Sequence, residues 1–163
     1  MAKKKRKKQN KILSYLSLAL GVVVIGLMLL DVVKFTGKVF GTESAFSGFN
    51  VIFGYTKTAE SFGIAVKTEI LAFSFLALVA VLLPVIGGII QLSQNKALKL
   101  VGAVCALGGA IMLFVMPSFV VFATDTIAAV YSAATASLAI GGIIAGIVAS
   151  LEAVIIGYQL LTK

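Results

Sequence analysis

Tryptophan and histidine are absent from the chain, cysteine occurs once, proline twice, and acidic residues number six. Without histidine there is no Ser–His or Cys–His pair, no histidine–metal centre and no haem held by histidine. The one cysteine, Cys105, lies inside an apolar stretch, so no intramolecular disulfide forms and a thiolate metal cluster has no ligand set. With no nucleophile–base pair and no convergent group of acids, the sequence reads as that of a protein that is not an enzyme and that needs neither cofactor nor metal.

What the chain has in quantity is apolar sequence: 60% of its 163 residues are hydrophobic, far above the ~45–50% of soluble domains. Four blocks carry most of it, Ile12–Val33, Ile64–Leu92, Ala97–Met116 and Ala128–Leu161, each matching the ~20 residues a helix needs to cross a bilayer. No charge interrupts Ile70–Leu92 or Leu100–Val121, so neither has the wet face of a soluble amphipathic helix. The expectation is an all-α membrane protein, a four-transmembrane-helix bundle with a small extracytoplasmic head. It divides into a basic tail at about residues 1–11 and one membrane domain at 12–163. Spans are expected at about 12–33, 64–92, 97–116 and 132–161, with external loops at about 34–62 and 117–131.

The formal net charge of +8 is unevenly placed. Lys3, Lys4, Lys5, Arg6, Lys7, Lys8 and Lys11 precede the first block, Lys96 and Lys99 separate the second from the third, and Lys163 is last. Ten of the fourteen basic residues are then cytoplasmic if both termini are, which the positive-inside rule favours. The first apolar block exceeds a typical h-region and no Ala-x-Ala site follows it, so it reads as an uncleaved anchor in a cell-membrane protein. Tyr15 and Tyr158 fall at the inner boundary, Tyr55 and Tyr131 at the outer. The basic cluster suits the anionic headgroups of the bilayer, at ~1 kcal/mol per charge. No aromatic residue is interleaved before Tyr15, so specific nucleic-acid binding is not expected.

The first external loop is rich in Phe and Gly, and Lys34–Phe40 and Phe49–Tyr55 alternate in the manner of strands about a turn at Gly41–Ser44, which predicts a β-hairpin. Its aromatic residues Phe40, Phe46, Phe49, Phe53 and Tyr55 are candidates for packing on the helix ends or for meeting a protein partner. Thr58, followed by Ala59-Glu60-Ser61, resembles a helix N-cap, and Asp125 resembles another at the start of the fourth helix.

Within the blocks, Pro84 is expected to kink the second helix. Ala129, Ala133, Ser137, Gly141, Ala145, Ala149, Ala153 and Gly157 form a row at spacing four, with Gly142 and Gly146 beside it, which predicts close helix packing. Glu152 is the candidate intramembrane polar site. It must face the protein interior, be protonated, or reach a cation such as Lys96, Lys99 or Lys11. Asp31 and Glu69 are expected to pair with Lys34 or Lys67.

Four helices, a long first external loop with possible strands and a shorter second one resemble the claudin-type tetraspan layout across the whole chain. The Trp, Gly-Leu-Trp and cysteine pair of that family's first loop have no counterpart here, and no functional residue is carried over. Small multidrug transporters also have four helices and a membrane glutamate, though theirs lies in the first helix. Two functions follow as expectations: a non-enzymatic scaffold or accessory protein presenting its outer head to a partner, and a small transporter or channel subunit using Glu152, with Pro84 as a hinge.

Overall fold

The structure, a computed structural model, describes the backbone of residues 2–38, 41–61, 64–93 and 95–161 and, within these, the side chains of all but residues 2–10, 61 and 64. Helix α1 (Ala2–Leu27) is followed by β1 (Asp31–Gly37), β2 (Glu43–Ser47), α2 (Gly48–Phe53), β3 (Tyr55–Ser61) and β4 (Ile64–Leu71). Then come α3 (Phe75–Gln91), α4 (Lys96–Phe114), a 3-10 turn at Met116–Phe119, α5 (Asp125–Ser132), β5 (Ala134–Leu138) and α6 (Ile140–Leu161).

This corrects the all-α expectation. Among the described residues there are six α-helices and five strands, with strand order β2-β1-β5 in one antiparallel sheet and β3-β4 in another, so the fold is mixed α/β rather than a four-transmembrane-helix bundle. Two helices, α4 and α6, are long and apolar enough to cross a membrane; α3 and the apolar part of α1, Lys11–Leu27, are shorter. That much is compatible with membrane association.

The reason for the error is physical. Hydropathy weighs Val, Ile and Phe alike whether their period is 3.6 or 2, and three of the four apolar blocks contain strand as well as helix. The first block breaks at Met28–Leu30 and continues as β1 through Val32, Val33 and Phe35. The second opens with β4, and α3 starts where Ser74 accepts a hydrogen bond from Ala77 N and donates to the Phe119 carbonyl at 2.6 Å. The fourth divides into α5, β5 and α6. Thr58–Ser61, read as a helix cap, is strand β3. The second strand of the predicted hairpin lies at Glu43–Ser47, and Gly48–Phe53 is helical, capped by Ser47.

Helices α1, α3, α4 and α6 pack side by side, with α1 against α3 and α6, and α4 against α3 and α6. Glycine makes the approaches close. A Cβ at Gly87 would lie 2.8 Å from the Gly102 carbonyl oxygen, and one at Gly109 would lie 2.5 Å from Pro84 Cδ. On its other side Pro84 meets α1, where a Cβ at Gly21 would lie 3.1 Å from its carbonyl oxygen. Pro84 is therefore buried at a double crossing within a continuous α3.

The sheets extend these helix pairs. Antiparallel neighbours α1 and α6 continue as β1 and β5, in register from Val33↔Leu138 to Gly37↔Ala134. The pair α3 and α4 continues as the bridge Leu71↔Phe122. All strands thus gather at one end of the helices as a head. Its core is aromatic: Phe35 lies 5.0 Å from Tyr131, 5.7 Å from Phe122 and 6.0 Å from Phe46, ring centre to ring centre. Below it Met28, Val32, Val33, Ile52, Leu71, Leu113 and Met116 join head to helices without a seam.

Candidate functional site

A buried polar layer lies at the end of the helices away from the head. Glu152 is 0% exposed, and Ser17 Oγ donates to its Oε1 at 3.2 Å. Two turns further toward the C-terminus, Gln159 Oε1 accepts from Gln91 Nε2 at 2.7 Å and from Ser14 Oγ at 3.3 Å. Lys99 of α4 is buried at the same end, one turn before the Gly102 crossing with α3. Each of α1, α3, α4 and α6 supplies a buried polar side chain to this end.

The layer is incompletely satisfied: Gln91 Oε1, Glu152 Oε2 and Gln159 Nε2 are buried and have no hydrogen-bond partner among the described residues. Each such group costs ~1–3 kcal/mol, so the layer is not there for stability alone. Toward the head it stops at Glu152. Beyond that residue the inward positions are Val24, Met28, Ala77, Ala80, Val81, Ala106, Ala110, Leu113, Ala145 and Ala149, all buried and apolar. Polar groups therefore do not continue from one end of the helices to the other along these positions.

Sequence singled out Glu152 but not Ser14, Ser17, Gln91 or Gln159, and it placed Lys99 in an inner turn rather than inside the packed helices. The available signal was Gln159, seven residues from Glu152 and so on the same helix face. The partners on other helices are set by tertiary contact. Lys34, expected near Asp31, is held instead by Glu43 across β1–β2 at 3.3 Å.

The row of small residues crosses three elements. Ala129 lies in α5, Ala133 in the turn after it and Ser137 in β5, while Gly141, Ala145, Ala149, Ala153 and Gly157 lie in α6. A Cβ would be 2.6 Å from the Asp31 carbonyl oxygen at Gly141, 2.7 Å from that of Val32 at Gly142, and 2.7 Å from the Phe114 ring at Gly146. At Gly157 it would meet nothing within 4 Å.

Among the aromatic candidates, Phe46 is buried in the head and packs edge-on to Tyr55 at 5.7 Å. Phe49 is partly buried and stacked on Phe53, which is 61% exposed. Phe40 lies outside the described residues, as do the side chains of Lys3, Lys4, Lys5, Arg6, Lys7 and Lys8, whose backbone begins α1. Two clefts open on the head on either side of Ser44 and Tyr131. One, of about 320 Å³, includes Phe35, Gly37, Lys38 and Thr42; the other, of about 170 Å³, includes Phe46, Tyr55 and Lys57.

The hairpin β3–β4 leaves the head almost bare. After an irregularity that separates the Tyr55↔Leu71 pair, it is in register from Thr56↔Glu69 to Ser61↔Ile64, and every side chain in Thr56–Glu60 and Ala65–Glu69 is exposed. Directly opposed residues share a face, so Lys57, Ala59, Val66 and Thr68 line one side and Thr56, Thr58, Lys67 and Glu69 the other. Neither side is covered.

Comparison of the chain with family models, with curated proteins and with solved structures finds no match.

Proposed function

We propose that this is a non-enzymatic, membrane-embedded interaction protein that presents its head, and above all the β3–β4 hairpin, to a protein partner at the outer membrane face. The observation that carries this is the exposure of both hairpin faces from Thr56 to Glu60 and from Ala65 to Glu69. A two-stranded hairpin with neither face covered is marginal in water, and open edges invite a further strand. A partner that covers one face or pairs with an edge supplies what the hairpin lacks.

Membrane embedding rests on the outward side chains of the helices. Large apolar residues stand exposed along α4 (Leu100, Val104, Leu107, Ile111) and α6 (Ile143, Ile147, Leu151, Val154), and likewise on α1 (Leu16, Val22, Val23) and α3 (Leu76, Leu82, Ile86, Ile89). A girdle of this extent far exceeds the apolar patches of soluble monomers. In this reading α4 and α6 cross the bilayer, α1 and α3 lie in the hydrocarbon beside them, and both termini are cytoplasmic. The lysines before Lys11 meet the anionic inner leaflet, and Leu29, Phe53, Phe73 and Phe75 ring the boundary between helices and head.

Photo-crosslinking tests the partner. With a benzophenone side chain at Thr58 or Val66, irradiation of intact membranes should yield a discrete protein adduct, and the same probe at lipid-facing Val104 should not. Adducts at Val104 but none at either hairpin position would contradict the proposal.

The buried polar layer favours a second reading, a small ion- or proton-coupled transporter using Glu152. It predicts a flux in liposomes that Glu152→Gln abolishes while the fold survives. The apolar packing between Glu152 and the head speaks for the interaction protein.

A further inference from the structure

We propose that the larger cleft on the head is a binding site for a small organic anion with a flat apolar body, of the aryl carboxylate class. Its volume, about 320 Å³, lies at the lower end of the ~300–1,000 Å³ range of ligand sites and suits a molecule the size of an aromatic amino acid. Its aromatic wall is fixed in place. Phe35 is 5% exposed, and Tyr131 stands edge-on to it at 74° while stacking on Phe122 at 5.1 Å. Such rings offer a planar ligand a rigid edge-to-face partner with little ordering cost.

The polar side of the cleft selects charge. Lys38 lines it and is exposed, and among the described residues it has no carboxylate partner, in contrast to Lys34, which Glu43 holds at 3.3 Å. Thr42 and Ser44 add hydroxyl donors, and among the described residues no acidic side chain lines the cleft. A cation and hydroxyls beside two rings match a carboxylate joined to an aromatic body.

Backbone hydrogen bonds hold the described part of the rim. Gly37 N donates to the Thr42 carbonyl at 2.8 Å, and Lys38 N to the Ala133 carbonyl at 3.4 Å, which ties both ends of the opening together. Gly37 also keeps the wall clear, since a Cβ there would lie 2.9 Å from Thr42 Oγ1. The smaller cleft beyond Tyr131, with Lys57, provides an internal control.

Phenylacetate and its neutral isostere 2-phenylacetamide test the site on the whole chain in lipid nanodiscs, followed by the methyl resonances of Ala133 and Ala134, with Ala45 of the smaller cleft as reference. Phenylacetate should shift the first two saturably and bind about tenfold more tightly than the amide. Lys38→Gln should remove that preference, Lys38→Arg keep it, and Lys57→Gln alter it by less than about twofold. Val130→Trp, at a cleft residue that is 68% exposed and so free to enlarge outward, should block both ligands while the unliganded spectrum elsewhere is preserved. The proposal is overturned if no saturable shift occurs, if acid and amide bind equally, if Lys57→Gln costs as much as Lys38→Gln, or if Val130→Trp leaves binding intact.

Discussion

Single residues in this molecule are judged by what stands opposite them. Gly141 and Gly157 belong to the same sequence row, yet a Cβ at Gly141 would lie 2.6 Å from a backbone oxygen and one at Gly157 would meet nothing. Gly141→Ala should therefore destabilise by ~1–3 kcal/mol, because the neighbour is backbone of Asp31 and cannot rotate away. Gly157→Ala should stabilise by ~0.5–1 kcal/mol, as alanine replaces glycine inside a helix without a clash. Thermal unfolding in detergent, run on both variants, should move in opposite directions. The polar layer allows a second test. Gln159→Leu removes the acceptor used by Gln91 and should cost ~1–3 kcal/mol, because the Gln91 amide nitrogen is then left buried without it. Adding Gln91→Leu should restore part of that loss, since one orphaned group is then gone. A double variant no more stable than the single one would show that the two glutamines are not coupled.

Elements were legible in the sequence to the extent that their pattern was local. α4 follows from an apolar stretch uncharged beyond Lys99, the body of α6 from one whose single charge is Glu152, and β1 was visible as alternation after Lys34. The strands within the apolar blocks were not, because Val32-Val33 and Ile64–Leu71 satisfy a hydropathy window as well as a helix does. Only pairing with distant partners, β1 with β5 and β4 with β3, makes them strands. The candidate site shows the same limit. Glu152 stood out as an acid among apolar residues, whereas its contact with Ser17 spans 135 residues of chain and could not be read locally. Among the elements the β3–β4 hairpin is the most detachable. Among the described side chains, replacing Thr56–Glu69 with a two-residue Asn-Gly turn removes only exposed ones and none of the buried core, so it should leave the melting temperature of the helices within about 2 °C. The same deletion should abolish co-purification of the partner in mild detergent.

At the scale of the whole molecule, two features point in opposite directions along one axis. The basic residues before Lys11, together with Lys96 and Lys99, belong to the end of the helices that holds the polar layer. The sheets, the aromatic cluster and the exposed hairpin occupy the other. The proposed function sets a bilayer across the apolar girdle between the two, with the positive end inside and the head outside. Impermeant thiol labelling in intact cells tests this arrangement most directly, using single cysteines at Thr58 in the hairpin and at Lys96 at the start of α4, in a Cys105→Ala background. The Thr58 site should label at once and the Lys96 site only after permeabilisation. Labelling of the Lys96 site in intact cells, or protection of the Thr58 site, would contradict a membrane-embedded protein that holds its head to the outside.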